Sequence, residues 1–187
     1  ILKSLQEFHN KEVIVTVKMD GENTTMYCDY LHARSIEYES HPSRSWVKAL
    51  HSNVSHDIPK GWRICGENLF AKHSIKYENL SDYFLMFSIW NQSNVCLSWD
   101  ETIEWANLLG LKTVPILYQG IWNEKLVKDI HSSTFNGDPC EGYVIRAREE
   151  FTYRDFRRKV AKFVRSNHVQ THGHWMRSKL ELNKVIL

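Results

Sequence analysis

The chain switches between a two-residue and a helical hydrophobic rhythm. Val13-Ile14-Val15-Thr16-Val17-Lys18 is β-branched and reads as a strand. Asp20-Gly21 follows, and Thr24 to Asp29 resumes an extended pattern, so the spacing predicts a β-hairpin with a charged turn. Trp62 to Leu69 is a strand containing Gly66, and Tyr83 to Trp90 is a near-continuous apolar run, as expected of a strand buried on both faces. Val95-Cys96-Leu97 forms a short partner strand. Thr113 to Tyr118 is a strand interrupted by Pro115, and Gly142 to Arg148 and Val160 to Val164 complete the set.

The helical rhythm appears over 43–55, where Ser43 can cap and Trp46, Val47, Ala49, Leu50 and Val54 form a stripe. Ser98-Trp99-Asp100-Glu101 is a capping box that opens a helix through Leu109, stopped by Gly110. Shorter helices are expected over 1–10, with Leu2, Leu5 and Phe8 on one side, and over 123–131. About seven strands and four helices, with helices inserted between antiparallel strands, give an α+β fold. The whole chain, 1–187, reads as a single domain with a C-terminal helical tail over 175–187.

Composition narrows this little. Hydrophobic residues at 42% and charged residues at 25% are ordinary for a globular protein. A net charge of +2 requires any basic surface to be local. No apolar run approaches the roughly twenty residues of a membrane helix, so no membrane partner is expected. There is no secretory signal, and the start at Ile1 points to a missing N-terminal stretch. Cys28, Cys65, Cys96 and Cys140 lack CxxC spacing and fit reduced, half-buried thiols in a cytoplasmic protein.

The candidate chemistry begins at Lys18-Met19-Asp20-Gly21, where a lysine ends a strand beside a carboxylate in a tight turn. A nucleophilic lysine must be neutral when it attacks, which desolvation or neighbouring cations favour. A solvated lysine before an ordinary turn would look the same in isolation. It is accompanied by Arg34, by Glu67 in Gly66-Glu67-Asn68-Leu69, by Phe84 and Phe87, by Glu141 at the head of Glu141-Gly142-Tyr143-Val144-Ile145-Arg146, and by Lys159 and Lys162. Together these supply what nucleotide transfer needs. Cations hold phosphates, carboxylates hold a divalent metal and ribose hydroxyls, and an aromatic ring stacks on a base. GxGxxG and Walker loops are absent.

The ordered set KMDG, ARS, GENLF, YFLMFSIW, EGYVIR and KVAKFVR, from about Val13 to Trp175, resembles the covalent nucleotidyltransferases. Within them it is most similar to the RNA ligase 2-type RNA ligases, in particular small bacterial members. The resemblance implies an antiparallel-sheet adenylyltransferase domain of the ligase and capping-enzyme type. It also implies ATP as cofactor, with magnesium or manganese, and RNA with 5′-phosphate and 3′-hydroxyl ends as partner. Lys18 would form a lysyl-AMP, the AMP would pass to the RNA 5′-phosphate, and the 3′-hydroxyl would then displace it.

By the same resemblance Lys18, Asp20, Glu141 and Lys162 are catalytic. Arg34, Glu67, Phe87, Lys159 and Lys162 contact the nucleotide, with Phe84 a weaker candidate for the stacking ring, and Asp20 and Glu141 bind metal. Three departures stand out. The last motif is usually Lys-x-Lys, one strand face, whereas here Lys159-x-x-Lys162 cannot share one. That requires a bulge, or Lys159 or Arg165 acting from another direction. Ser88 stands where the family commonly has Asp, and nothing after the last motif is long enough for an OB-fold domain.

His168, His172 and His174 read as a solvated loop more readily than as a metal site. Arg154, Arg157, Arg158, Lys159, Lys162 and Arg165, interleaved with Tyr153 and Phe156, suggest a phosphate-tracking surface that Arg44 and Lys48 would extend. Trp99 and Trp105 read as helix packing. The competing functions are a DNA ligase or capping-type enzyme, and a silent nucleic-acid-binding module.

Overall fold

The structure is a computed structural model and describes residues 5–34, 41–130, 132–165 and 179–186. β1 (Glu12–Lys18) is buried from Val13 to Val17, as its β-branched run dictates. It lies inside a four-stranded antiparallel sheet between β8 (Ile116–Ile121) and β11 (Gly142–Ala147), and β13 (Val160–Val164) pairs with the outer side of β11.

The larger sheet runs in the order β12 (Phe151–Thr152), β6 (Val95–Cys96), β5 (Phe84–Trp90), β4 (Arg63–Asn68), β2 (Glu22–Met26), β3 (Leu31–Ala33), and β7 (Lys112–Thr113) lies parallel beside β5. β9 (Thr134–Phe135) and β10 (Asp138–Pro139) form a small separate pair.

β5 explains the layering. Phe84 and Met86 join Met26, Ile64 and Ile89 against α1 (Ser45–Val54) and α2 (Trp99–Leu108), represented by Val47, Val54 and Ala106, with Leu109 just past the helix. Leu85 and Phe87, on the alternate positions, face a second core with Ile14, Val17, Leu69 and Trp99. Side chains from both sheets line the cleft between them. The capping box of α2 is formed in both directions, and Gly110 follows the helix at φ 66°. α3 (Glu124–Ile130) and α4 (Phe156–Lys159) are short. All four thiols are free.

Several expectations are corrected. Asp20-Gly21 does not close a hairpin: β1 pairs with β8 and β11, and β2 with β3 and β4, so the turn carries the chain from one sheet to the other. The hairpin signal is local, and long-range pairing on both edges of β1 overrides it. Pro115 likewise splits the strand expected over 113–118 into β7 and β8, in different sheets, because it has no N–H for a ladder.

Ser43 is buried inside a 3-10 turn, Pro42–Arg44, whose cap is His41. The N-terminal helix is a single 3-10 turn, Leu5–Phe8, and Leu2 lies outside the described residues. The tail is not helical where it is described. Residues 179–186 are extended, with bridges Ala71↔Leu182 and Leu80↔Val185, because their backbone groups bond the 70–80 segment rather than each other. The His168, His172 and His174 run lies outside the described residues. No described helix is long and apolar enough to cross a membrane.

Candidate active site

Lys18 ends β1 at the mouth of a cleft of about 900 Å3 between the two sheets. Its Nζ donates to Glu141 Oε2 at 2.5 Å, and both side chains are largely shielded, 23% and 10% exposed. The register explains the meeting: Lys18 lies opposite Gly142, so Glu141, one residue before β11, stands beside the strand end. Gly142 is needed there. A Cβ would fall 1.9 Å from the Phe163 carbonyl oxygen on β13.

The turn after Lys18 is held by its own acid. Asp20 Oδ2 accepts from the Ser74 and Ile75 amides at 2.8 and 2.7 Å, and the Asp20 amide donates to the Tyr77 hydroxyl at 2.9 Å. Gly21 donates its amide to Glu67 Oε1 at 3.1 Å, and its lack of a Cβ permits the approach of the Asn68 carbonyl. Burial pushes the Glu67 carboxyl up to about 7, against the opposing influence of Lys18 and the Gly21 amide.

Arg34, Glu67, Phe87 and Lys162 line the same cleft as Lys18 and Asp20, as does His73. Phe87 is the half-buried position of β5, whereas Phe84 is sealed in the helix-side core. Arg34 is exposed at the end of β3. Val160, Lys162 and Val164 share one face of β13, and Lys162 lies opposite Val144. Lys159 is therefore not part of the strand. It sits in α4, and its Nζ bonds Glu149 at 2.7 Å, so no bulge brings it beside Lys162. Arg165 donates its amide to the Glu141 carbonyl at 3.1 Å.

Asp20 and Glu141 each keep one carboxylate oxygen free of a described protein donor. Hard oxygens of this kind suit magnesium or manganese, whose remaining ligands are usually phosphate and water. No cluster of three or more such ligands exists among the described residues.

Arg146 has no role in the motif pattern, yet it lines the cleft. It is 6% exposed and donates to the Ala147, Leu97 and Phe87 carbonyls at 3.0, 2.8 and 3.4 Å. Its guanidinium lies over Trp99 and Phe151 at 5.5 and 5.4 Å, and it has no ion pair among the described residues. Alternation with Val144 in EGYVIR is the signal that could have found it.

Arg44, expected on the basic surface, is instead buried in a bidentate pair with Glu22. In the basic run, Arg158 pairs with Glu7 and Asp155, while Arg154 and Arg157 have no ion pair among the described residues. Tyr153 and Phe156, 60% and 40% exposed, stack beside them.

Comparison with known proteins agrees with this fold. Among solved structures, an arginine-to-alanine variant of Naegleria gruberi RNA ligase with ATP and Mn matches at a TM-score of 0.59 and 17% identity, over 92% of this chain and 55% of that one. A glutamate-to-alanine variant with ATP and Mn gives 0.58 and 16%, over 88% and 53%. A lysine-to-methionine variant with AMP and Mn gives 0.57 and 15%, over 87% and 52%. This chain thus spans about half the length of the solved relatives it matches, and at such identity the likeness shows the fold. No curated protein sequence matches. The sequence profile of the family described as RNA ligase matches residues 11–164, so the chain belongs to the RNA ligase family.

Proposed function

We propose that this chain carries the nucleotidyl-transfer chemistry of an ATP-dependent RNA ligase, with Lys18 as the residue that becomes adenylylated. The observation that carries the reading is the convergence of Lys18, Glu67, Phe87, Arg34 and Lys162 on one cleft, with Glu141 bonded to Lys18, a set that matches the phosphate, ribose and base of a nucleotide.

The amine must lose a proton before it attacks. Glu141 Oε2 is within hydrogen-bond reach of Nζ and is the nearest acceptor for it. A bond then forms between Nζ and the α-phosphorus as the bond to pyrophosphate breaks. Lys162 and Arg34 stand as cations for the charge that develops on the phosphate oxygens. Glu67 would accept from the ribose, and Phe87 offers a ring face to adenine. Ile14, opposite Arg146, lies four residues along β1 from Lys18, about 13 Å at 3.3 Å per residue, and Arg146 donates to the Phe87 carbonyl, so on this reading the buried guanidinium would lie toward the base. Asp20 and Glu141 would hold magnesium or manganese, which when bound neutralises phosphate charge. The lysyl-AMP would pass its AMP to an RNA 5′-phosphate, and a 3′-hydroxyl would displace AMP to join the strands.

The test is covalent labelling with ATP labelled at the α-phosphate, in magnesium, with Lys18→Ala beside the wild type. Label on wild type alone is the expected result. Label from GTP and not ATP would turn the reading to a capping-type enzyme. Absence of label from either nucleotide in folded protein would leave a nucleic-acid-binding module.

A further inference from the structure

The described C-terminal residues lie outside the 11–164 segment that carries the family match, yet they lead straight to the nucleophile turn. Asn183 is 2% exposed, and both ends of its side-chain amide are hydrogen-bonded. Its Nδ2 donates to the Leu69 and Ala71 carbonyls at 2.8 and 3.3 Å, and its Oδ1 accepts from the Tyr77 amide at 2.9 Å. Its own amide donates to the Phe70 carbonyl and its carbonyl accepts from the Tyr83 hydroxyl, each at 3.2 Å.

On either side, Lys72 donates its amide to the Glu181 carbonyl, Lys184 to Tyr77, and Ile186 to Leu80. Glu181 also pairs with Lys72 and Lys76 at 2.7 and 3.0 Å.

The 70–80 segment has no continuous helix or strand of its own. Its shape is imposed by groups from elsewhere: Asn183 on one side, Asp138 at the Glu78 and Asn79 amides, and Asp20 at the Ser74 and Ile75 amides. Tyr77 joins both ends of the path. Its amide is bound by Asn183, and its hydroxyl accepts from the amide of Asp20, two residues after Lys18. Met19, Ile75, Tyr77 and Val185 share one apolar cluster around this path.

We propose that residues 179–186 form a strap that sets the position of Lys18, with Asn183 as the positioning residue and Tyr77 as the link. Because a misplacement of about 1 Å can cost on the order of 100-fold in rate, a strap at the far end of the chain can control the first chemical step. The catalytic half of this inference rests on the reading of Lys18 as the adenylylated residue, and the structural half does not.

The experiment uses the full chain with Asn183→Ala, Tyr77→Phe and the double variant. Single-turnover labelling across a series of ATP concentrations reads a limiting rate constant, an amplitude and an apparent ATP KM separately. The expected result is a rate constant lowered on the order of 10- to 100-fold in both single variants, with amplitude and ATP KM held. The double variant should be no slower than the slower single one.

Loss of amplitude with an unchanged rate constant would make the strap a stabiliser only and overturn the proposal. Multiplying effects in the double variant would overturn the path through Tyr77. Tyr77→Phe removes one hydroxyl and keeps the test alive if Asn183→Ala does not fold.

Amide exchange supplies a readout that needs no nucleotide. Faster exchange at Ser74, Ile75 and Asp20 in the variants, with the β1 amides unchanged, supports the link, and unchanged exchange at all of them refutes it. If the wild type takes no label while the exchange link holds, the ligase reading fails and the strap stands.

Discussion

Single residues show how burial rewrites the chemistry a sequence suggests. Glu67 has its carboxyl raised from 4.5 to about 7, mainly by burial, and this fixes the sign of a pH effect. The folded state binds the proton more tightly than the unfolded chain does. Glu67 therefore costs nothing below about pH 4.5, and its cost grows as the pH rises to about 7. The stability of wild type relative to Glu67→Gln should fall across that interval and level off above it. Denaturation at a series of pH values checks this, and a flat difference would refute it. Residue identity alone gives Lys18, Glu67, Phe87 and Lys162 a place in one cleft, because motif order preserves them. It cannot give the burial of Arg146, for which strand alternation offers only the facing and which depends on Leu97, Trp99 and Phe151 arriving from other elements. Nor can it show that the Asp20 carboxylate grips the distant loop at Ser74 and Ile75.

At the level of elements, strands and helices with strong periodicity were legible: β1, β4, β5, α1 and α2 fall where the pattern puts them. Pairing was not. Asp20-Gly21 and Pro115 look like a hairpin turn and a kink, and both are passages between sheets, a distinction set by partners distant in sequence. The last motif is the clearest case. Lys159 and Lys162 look like a displaced pair, but α4 ends at Lys159 and only Lys162 enters the ladder opposite Val144. That ladder depends on close backbone approach at Gly142. Gly142→Ala should cost about 3 kcal/mol, the upper end of what overpacked sites show, since the obstacle is a carbonyl and not a flexible side chain. Chemical denaturation measures it, and a loss under about 1 kcal/mol would mean that β13 shifts freely.

Across the whole molecule, the near-neutral charge of +2 leaves nucleic-acid binding to a local patch. Arg154 and Arg157, without an ion pair among the described residues, follow Tyr153 and Phe156 in sequence, whose exposed rings stack on each other. If single-stranded RNA follows this patch, each of the two arginines neutralises one phosphate. Arg154→Ala with Arg157→Ala should then lower the slope of log affinity against log salt by about 1.4, at about 0.7 per phosphate. Arg158→Ala should change it less, because that guanidinium already faces Glu7 and Asp155. Fluorescence anisotropy across a salt series reads both, and an unchanged slope in the double variant would remove the patch from the binding surface.

The crossover at Asp20-Gly21 has a counterpart. Beyond Arg146, residues 148–150 carry the chain from β11 in the smaller sheet to β12 in the larger. The cleft is braced by covalent backbone at both ends, so its width behaves like a caliper locked at a set gauge. A nucleotide base entering as proposed would meet walls already tied together at both ends, so the ordering cost of receiving it would be small.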